Sequence, residues 1–152
     1  ADQNVFTLDT AFQRRWNMRQ IENNFEKCDH SKDIIVGTKV NWGAFATVIN
    51  AMVIDINVDM ASSEDKRLGT YFAKKKELEV NRFPEKVLKY LWDDAFKMDK
   101  AAIFNENCKS LEDVVVTYET ATTDKLAAVL RLSVYEKMLS KMQQKNTGNE
   151  EN

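Results

Sequence analysis

The sequence predicts a mainly α-helical protein in which a short αβ segment precedes a small helical bundle. Three observations predict this fold class. One Pro and four Gly among 152 residues leave few positions that interrupt a helix. Apolar residues recur at helical spacing over most of the chain after Asn41. Residues that favour helix starts stand directly before these periodic stretches.

The first 26 residues predict one helix and one short strand. Phe6, Leu8, Ala11 and Phe12 recur at helical spacing, and residues 16–21 could form the strand. Such a strand would be the last of a sheet whose other strands lie elsewhere, so we expect this end to be mobile, swapped or paired with a neighbour. The polar residues 27–40, interrupted by a short apolar run at 34–36, predict a linker.

Residues 41–144 predict the helical bundle, and the polar residues 145–152 predict a disordered tail. The predicted helices start at Asn41, Ser62 or Ser63, Pro84, Ser110, and Thr123 or Asp124. Each carries an apolar face for the core. These faces comprise Trp42, Phe45, Ile49, Met52, Val53 and Ile56; Leu68, Tyr71 and Phe72; Val87, Leu88, Leu91 and Ala95; Leu111, Val114, Val115 and Tyr118; and Leu126, Val129, Leu130, Val134, Met138 and Leu139.

Composition and charge exclude several functions. A net charge of -2 and a pI near 5.5 give no bulk attraction to nucleic acid or anionic membranes. The apolar runs are shorter than the roughly 20 residues of a membrane span. Cys28 and Cys108 are far apart, and His30 is the single histidine, so we expect reduced thiols, no metal site and an exposed loop histidine. Without a signal-like leader, these features predict a cytoplasmic protein.

Three blocks of sequence carry a resemblance to a known family. Ala1-Asp2 precedes a stretch that reads Leu8-Asp9-x-Ala11-x-x-Arg14-Arg15. A second block runs over residues 64–72 and includes Asp65-Lys66-x-Leu68-Gly69, and a third covers residues 83–97. In their order and spacing the blocks resemble the C-terminal part of McrB-like AAA+ proteins. Gln3 departs from the pattern, since the family often has Arg there. The resemblance implies the end of an AAA+ core over residues 1–26 and a helical lid over residues 41–144.

The resemblance implies roles for five residues. Arg14 and Arg15 would be trans-acting arginine fingers that stabilise charge on a nucleotide held by the neighbouring subunit. Asp2, Lys66 and Arg67 would contribute to nucleotide binding, the last two as sensors on the lid. Simpler interpretations stay open. Paired arginines at a helix end also stabilise the helix dipole, and the basic pair at 66–67 could offset the acidic pair at 64–65 on a solvated face.

The implied function is part of an AAA+ ring motor like the McrB subunit of modification-dependent restriction systems. The full-length protein would use ATP or GTP with Mg²⁺, and its partners would be copies of itself in a ring, a nuclease subunit and DNA. No Gly-x-x-x-x-Gly-Lys loop occurs here and the chain opens without Met, so we expect a fragment that is inactive alone. The alternatives are another remodelling AAA+ ATPase or a non-enzymatic helical interaction domain.

Overall fold

The fold class predicted from the sequence is confirmed where the structure describes the chain. This computed structural model describes residues 29–57 and 66–151, with side chains over 29–55 and 66–143. This part of the protein is mainly helical. The αβ segment predicted over residues 1–26 lies outside the described residues, so it stays a prediction.

Five helices build the described part. Helix α1 is Trp42–Asn57, and α2 consists of two π-helical stretches, Pro84–Leu88 and Leu91–Ala95. Helices α3, α4 and α5 are Leu111–Thr120, Lys125–Val129 and Leu132–Glu151. Short 3-10 turns occupy Asp29–Lys32, Lys75–Leu78 and Lys100–Ala102. Two isolated antiparallel bridges, Ile34 with Asn41 and Phe104 with Leu130, are the extended pairings within the described residues.

The predicted helix starts at Asn41, Ser110 and Asp124 are confirmed by capping hydrogen bonds. The Asn41 side-chain oxygen accepts from the Ala44 amide at 2.8 Å, and the Ser110 hydroxyl accepts from the Asp113 amide at 3.1 Å. Asp124 accepts from the first amides of α4. Each cap satisfies a backbone donor that the helix itself leaves unpaired, so each boundary is set by local chemistry.

The core lies along the apolar face predicted for α1. Helix α1 packs against α5, and the Pro84–Leu88 stretch of α2 packs against α3. A row of aromatic rings connects these layers: Trp42 stacks on Phe45, Phe45 meets Phe83 edge to face, and Phe83 stacks on Tyr118. All four of these side chains are fully buried. Rings of this size supply much of the apolar area that a small bundle removes from water.

Residues 29–40, predicted as a linker, contribute to this core. Ile35 and Val40 are fully buried. The turn Asp29–Lys32 lies so close to α1 that a Cβ added at Gly43 would meet the Cβ of Ser31 at 2.9 Å. The segment therefore packs on the bundle as part of the same structural unit.

The helix predicted from Asp124 through Leu139 is divided in two. Leu130 is extended, with φ -92° and ψ 157°, and separates α4 from α5. The break is stabilised from outside the helix, because the Arg131 amide donates to Ile103 O at 2.8 Å and the Asn105 amide donates to Val129 O at 3.0 Å. At the other end, α5 continues to Glu151 and so includes residues 145–151, for which the sequence predicts a disordered tail.

Candidate functional site

The segment that carries Lys66 and Arg67 is irregular. Residues 66–69 have no regular secondary structure, and a turn follows in which the Phe72 amide donates to Gly69 O at 3.2 Å. The helix predicted after Ser62 or Ser63 is therefore wrong for this stretch. A Cβ at Gly69 would meet nothing within 4 Å, which fits a glycine that serves the turn rather than close packing.

Buried side chains from α1 hold this segment in place. Asn50, which is 6% exposed, accepts from the Leu68 amide at 2.6 Å and donates to Leu68 O at 2.9 Å. Two turns earlier, the Trp42 indole donates to Thr70 O at 2.8 Å. Because buried backbone groups must be paired, these bonds replace the ones that a helix would have formed.

Lys66 is fixed by contacts with α2. Its backbone oxygen accepts from the Tyr90 hydroxyl at 2.9 Å. Its ammonium lies 3.2 Å from Asp94 Oδ1 and 3.4 Å from the Asp94 backbone oxygen. The side chains of the ion pair are 26% and 51% exposed, so water reaches both groups. The main chain of Lys66 is thus anchored while its charge stays near the surface.

The second and third blocks of the AAA+ resemblance meet at this point. Phe72 lies against Tyr90 with ring centroids 4.9 Å apart, and the Lys86 ammonium lies 5.5 Å from the centre of the Phe72 ring. Lys86 also pairs with Glu77 at 2.8 Å. Residues 66–72 and 83–97, recognised in the sequence as separate motifs, therefore form one contiguous surface.

The structure locates two of the five predicted site residues. Lys66 and Arg67 are neighbours on the irregular segment, and both are half-buried. Arg14, Arg15 and Asp2 lie outside the described residues, so their assigned roles stay predictions. Two residues without a predicted role contact this segment. Asp94 contacts Lys66 across 28 positions of sequence, and Asn50 contacts Leu68 across 18. The signal for Asp94 was its place in the third block, whereas Asn50 carried none.

His30 is not the exposed loop residue that the sequence predicts. Its side chain is 11% exposed, and its ring stacks on Tyr71 with 5.9 Å between centroids. Nε2 donates to Ala73 O at 2.5 Å, and Nδ1 lies 2.9 Å from Asp33 Oδ2. Both nitrogens thus have protein partners. The ring joins the first 3-10 turn to the end of the Lys66 segment.

Several ionisable groups have shifted pKa values. The Lys86 ammonium and the Lys74 amide, which bond to Glu77, hold the pKa of Glu77 below its usual range. Burial raises the pKa of the Cys108 thiol, and burial together with a hydrogen bond to Asp124 raises the pKa of Tyr135. These shifts belong to structural contacts. The Lys74–76 run is exposed at the surface.

Within residues 29–57 and 66–151, no helix has the length and apolar character needed to cross a membrane. The same part of the chain holds no group of three His, Cys, Asp or Glu residues arranged to bind a metal ion. Cys28 lies outside it.

Comparison with known proteins yields one informative similarity. The chain is 32% identical over 126 residues to the Type II restriction enzyme BsuMI component YdiS of Bacillus subtilis (strain 168). The match covers 78% of this chain but 35% of that protein, so the chain spans about a third of its relative's length. No protein-family model and no solved structure matches.

Proposed function

We propose that the chain is the C-terminal part of a nucleotide-hydrolysing AAA+ ring motor in a restriction system. The sequence blocks resemble McrB-like proteins, and this resemblance supports the AAA+ motor. The similarity to a restriction enzyme component of Bacillus subtilis supports the place in a restriction system. In this proposal, copies of the protein form a ring with nucleotide at each seam, and a nuclease subunit and DNA are partners of the full-length protein.

The observation that carries the proposal is the placement of Lys66. A nucleotide sensor needs a cation on a fixed backbone, with a side chain that can reach phosphate oxygens. Lys66 meets both conditions, since Tyr90 binds its backbone oxygen and Asn50 binds the backbone two residues later, while its ammonium is partly exposed. Arg67 is next to it and can add a planar donor.

Each residue has a distinct role in the proposed mechanism. ATP or GTP with Mg²⁺ is the substrate and is held by the phosphate-binding loop of a neighbouring copy. Arg14 and Arg15 lie against the γ-phosphoryl oxygens and stabilise the charge that develops there, a contribution of about 10³- to 10⁵-fold in rate for arginine fingers. Lys66 and Arg67 reach the phosphates from the lid, and Asp2 contributes at the end of the core.

Nucleotide hydrolysis by the intact protein tests this proposal. We expect Arg14→Ala or Arg15→Ala to lower turnover by about 10³-fold or more while nucleotide binding persists. Parallel assays with ATP and GTP identify the preferred nucleotide. The isolated 152-residue chain should show no turnover.

The matched control is Arg82→Ala, which removes an exposed arginine from the described surface. We expect it to leave turnover unchanged. Normal hydrolysis by both the Arg14 and the Arg15 variant would contradict the finger assignment, and the arginines would then be surface charges. If, in addition, Lys66→Ala left nucleotide affinity unchanged, the chain would be a helical domain without a nucleotide role.

A further inference from the structure

The Lys66 ammonium would have to divide its three N–H donors between a phosphate and its present partner. It lies against two oxygens of one residue, the Asp94 carboxylate at 3.2 Å and the Asp94 backbone oxygen at 3.4 Å. Both are at the end of the Leu91–Ala95 stretch of α2. A carboxylate and a phosphate compete for the same cation because each satisfies it with negatively charged oxygens.

We propose that Asp94 holds Lys66 in the nucleotide-free protein and releases it when a nucleoside triphosphate binds, so that the pair sets the affinity of the site. This inference rests on the proposed function. It identifies Asp94 as a regulatory partner of the sensor, with the triphosphate as the competing ligand.

The exchange requires a rotation of one side chain and no movement of the segment. Tyr90 binds the Lys66 backbone oxygen, and Asn50 binds both backbone groups of Leu68. The backbone is therefore held at the Lys66 carbonyl and at Leu68. A lysine has a flexible four-carbon stem, so its ammonium can reach a new anion from an unmoved backbone.

The strength of the pair suits an exchange of partners. Exposed ion pairs are weak because water and salt screen them, and this pair is partly exposed on both sides. A triphosphate carries more negative charge than one carboxylate and forms charge-assisted hydrogen bonds with Lys. The carboxylate can therefore position the ammonium without preventing its transfer to nucleotide.

Nucleotide affinity of the intact protein tests the proposal, with fluorescent non-hydrolysable ATP and GTP analogues as probes. Asp94→Asn keeps the size of the side chain and removes its charge. We expect it to tighten binding about 2- to 5-fold, which is the range of an exposed ion pair. In a Lys66→Ala background, Asp94→Asn should have no effect, because the cation that Asp94 restrains is gone.

Asp93→Asn is the matched control, since Asp93 is the exposed neighbour of Asp94 and its loss changes the net charge equally. We expect this variant to bind like the wild type. Weaker binding by Lys66→Ala with no change for Asp94→Asn would overturn the present inference and leave the proposed function standing. Unchanged binding by Lys66→Ala would overturn this inference together with the sensor role of Lys66. Equal tightening by Asp93→Asn would also overturn it, because the effect would then be one of bulk charge.

Discussion

Segments 66–70 and 103–105 both lie outside the regular helices, and different groups hold them in place. Segment 66–70 is bound mainly by side chains, since Asn50, Trp42 and Tyr90 each bond to its backbone. Segment 103–105 is bound mainly by backbone groups at the junction of α4 and α5. Its added side-chain bonds include the Asn105 amide to Ala128 O at 2.6 Å.

The two segments therefore differ in how strongly they depend on residue identity. Backbone donors and acceptors are present in almost any sequence, so segment 103–105 keeps most of its bonds when side chains change. Segment 66–70 loses a bond whenever one of its three partners is replaced. The candidate sensor therefore lies on the part of the fold that is more sensitive to substitution.

The largest effect is expected from Asn50→Ala. This change leaves the amide and carbonyl of Leu68 buried without partners, and each such group costs about 1–3 kcal/mol. We expect the free energy of unfolding to fall by about 3 kcal/mol in urea titrations, given two such groups. Asn107→Ala removes an exposed amide of the same type and should change stability by less than about 0.5 kcal/mol. A similar small loss for Asn50→Ala would show that another group replaces its bonds.

A smaller loss is expected from Asn105→Ala in the second segment. The substitution removes the bond to Ala128 O and the exposed bond that the Asn105 side-chain oxygen accepts from the Asn107 amide, whereas the backbone bonds of Asn105 and Arg131 remain. We expect the free energy of unfolding to fall by about 1–2 kcal/mol, the usual value for two hydrogen bonds of which one is exposed. The same urea titration measures it. Destabilisation as large as that of Asn50→Ala would contradict the distinction between the two segments.

The smallest effect is expected at Glu77, whose side chain pairs with Lys86 at the surface just beyond segment 66–70. Its pKa is lowered in the folded protein from an ordinary value of 4.5, so its stabilising contribution is complete above that pH. The contribution is lost as the pH falls through the lowered folded-state pKa. We expect the melting temperature of Glu77→Gln to fall less on acidification than that of the wild type, in thermal melts between about pH 3 and 6. Glu79→Gln, an exposed neighbour, should retain the wild-type profile.

Local sequence chemistry predicts much of this fold. Asn41, Ser110 and Asp124 cap helices as expected, because a cap involves residues only two or three positions apart. Four residues of the apolar face predicted for α1 are buried as its periodicity predicts, namely Trp42, Phe45, Ile49 and Val53. Each of these features depends on neighbours in the chain, which a single sequence displays directly.

The features that sequence analysis missed depend on distant residues. Leu130 continues an apolar helical pattern, yet it pairs with Phe104 and ends α4. Leu68 fits a helix by spacing, but Asn50 takes its backbone bonds. For the site, the sequence supplied Lys66 and Arg67 through a resemblance, whereas the contact between Lys66 and Asp94 required the fold. The assignments of Arg14, Arg15 and Asp2 stay predictions.

The central claim is that Lys66 contacts nucleotide, and a structure of the intact protein with a non-hydrolysable ATP or GTP analogue tests it most directly. We expect the Lys66 ammonium about 3 Å from a phosphate oxygen and separated from Asp94, as charge-assisted bonds require. A structure with bound nucleotide in which Lys66 still contacts Asp94, and in which Arg67 is also remote from the phosphates, would contradict the sensor role of these residues.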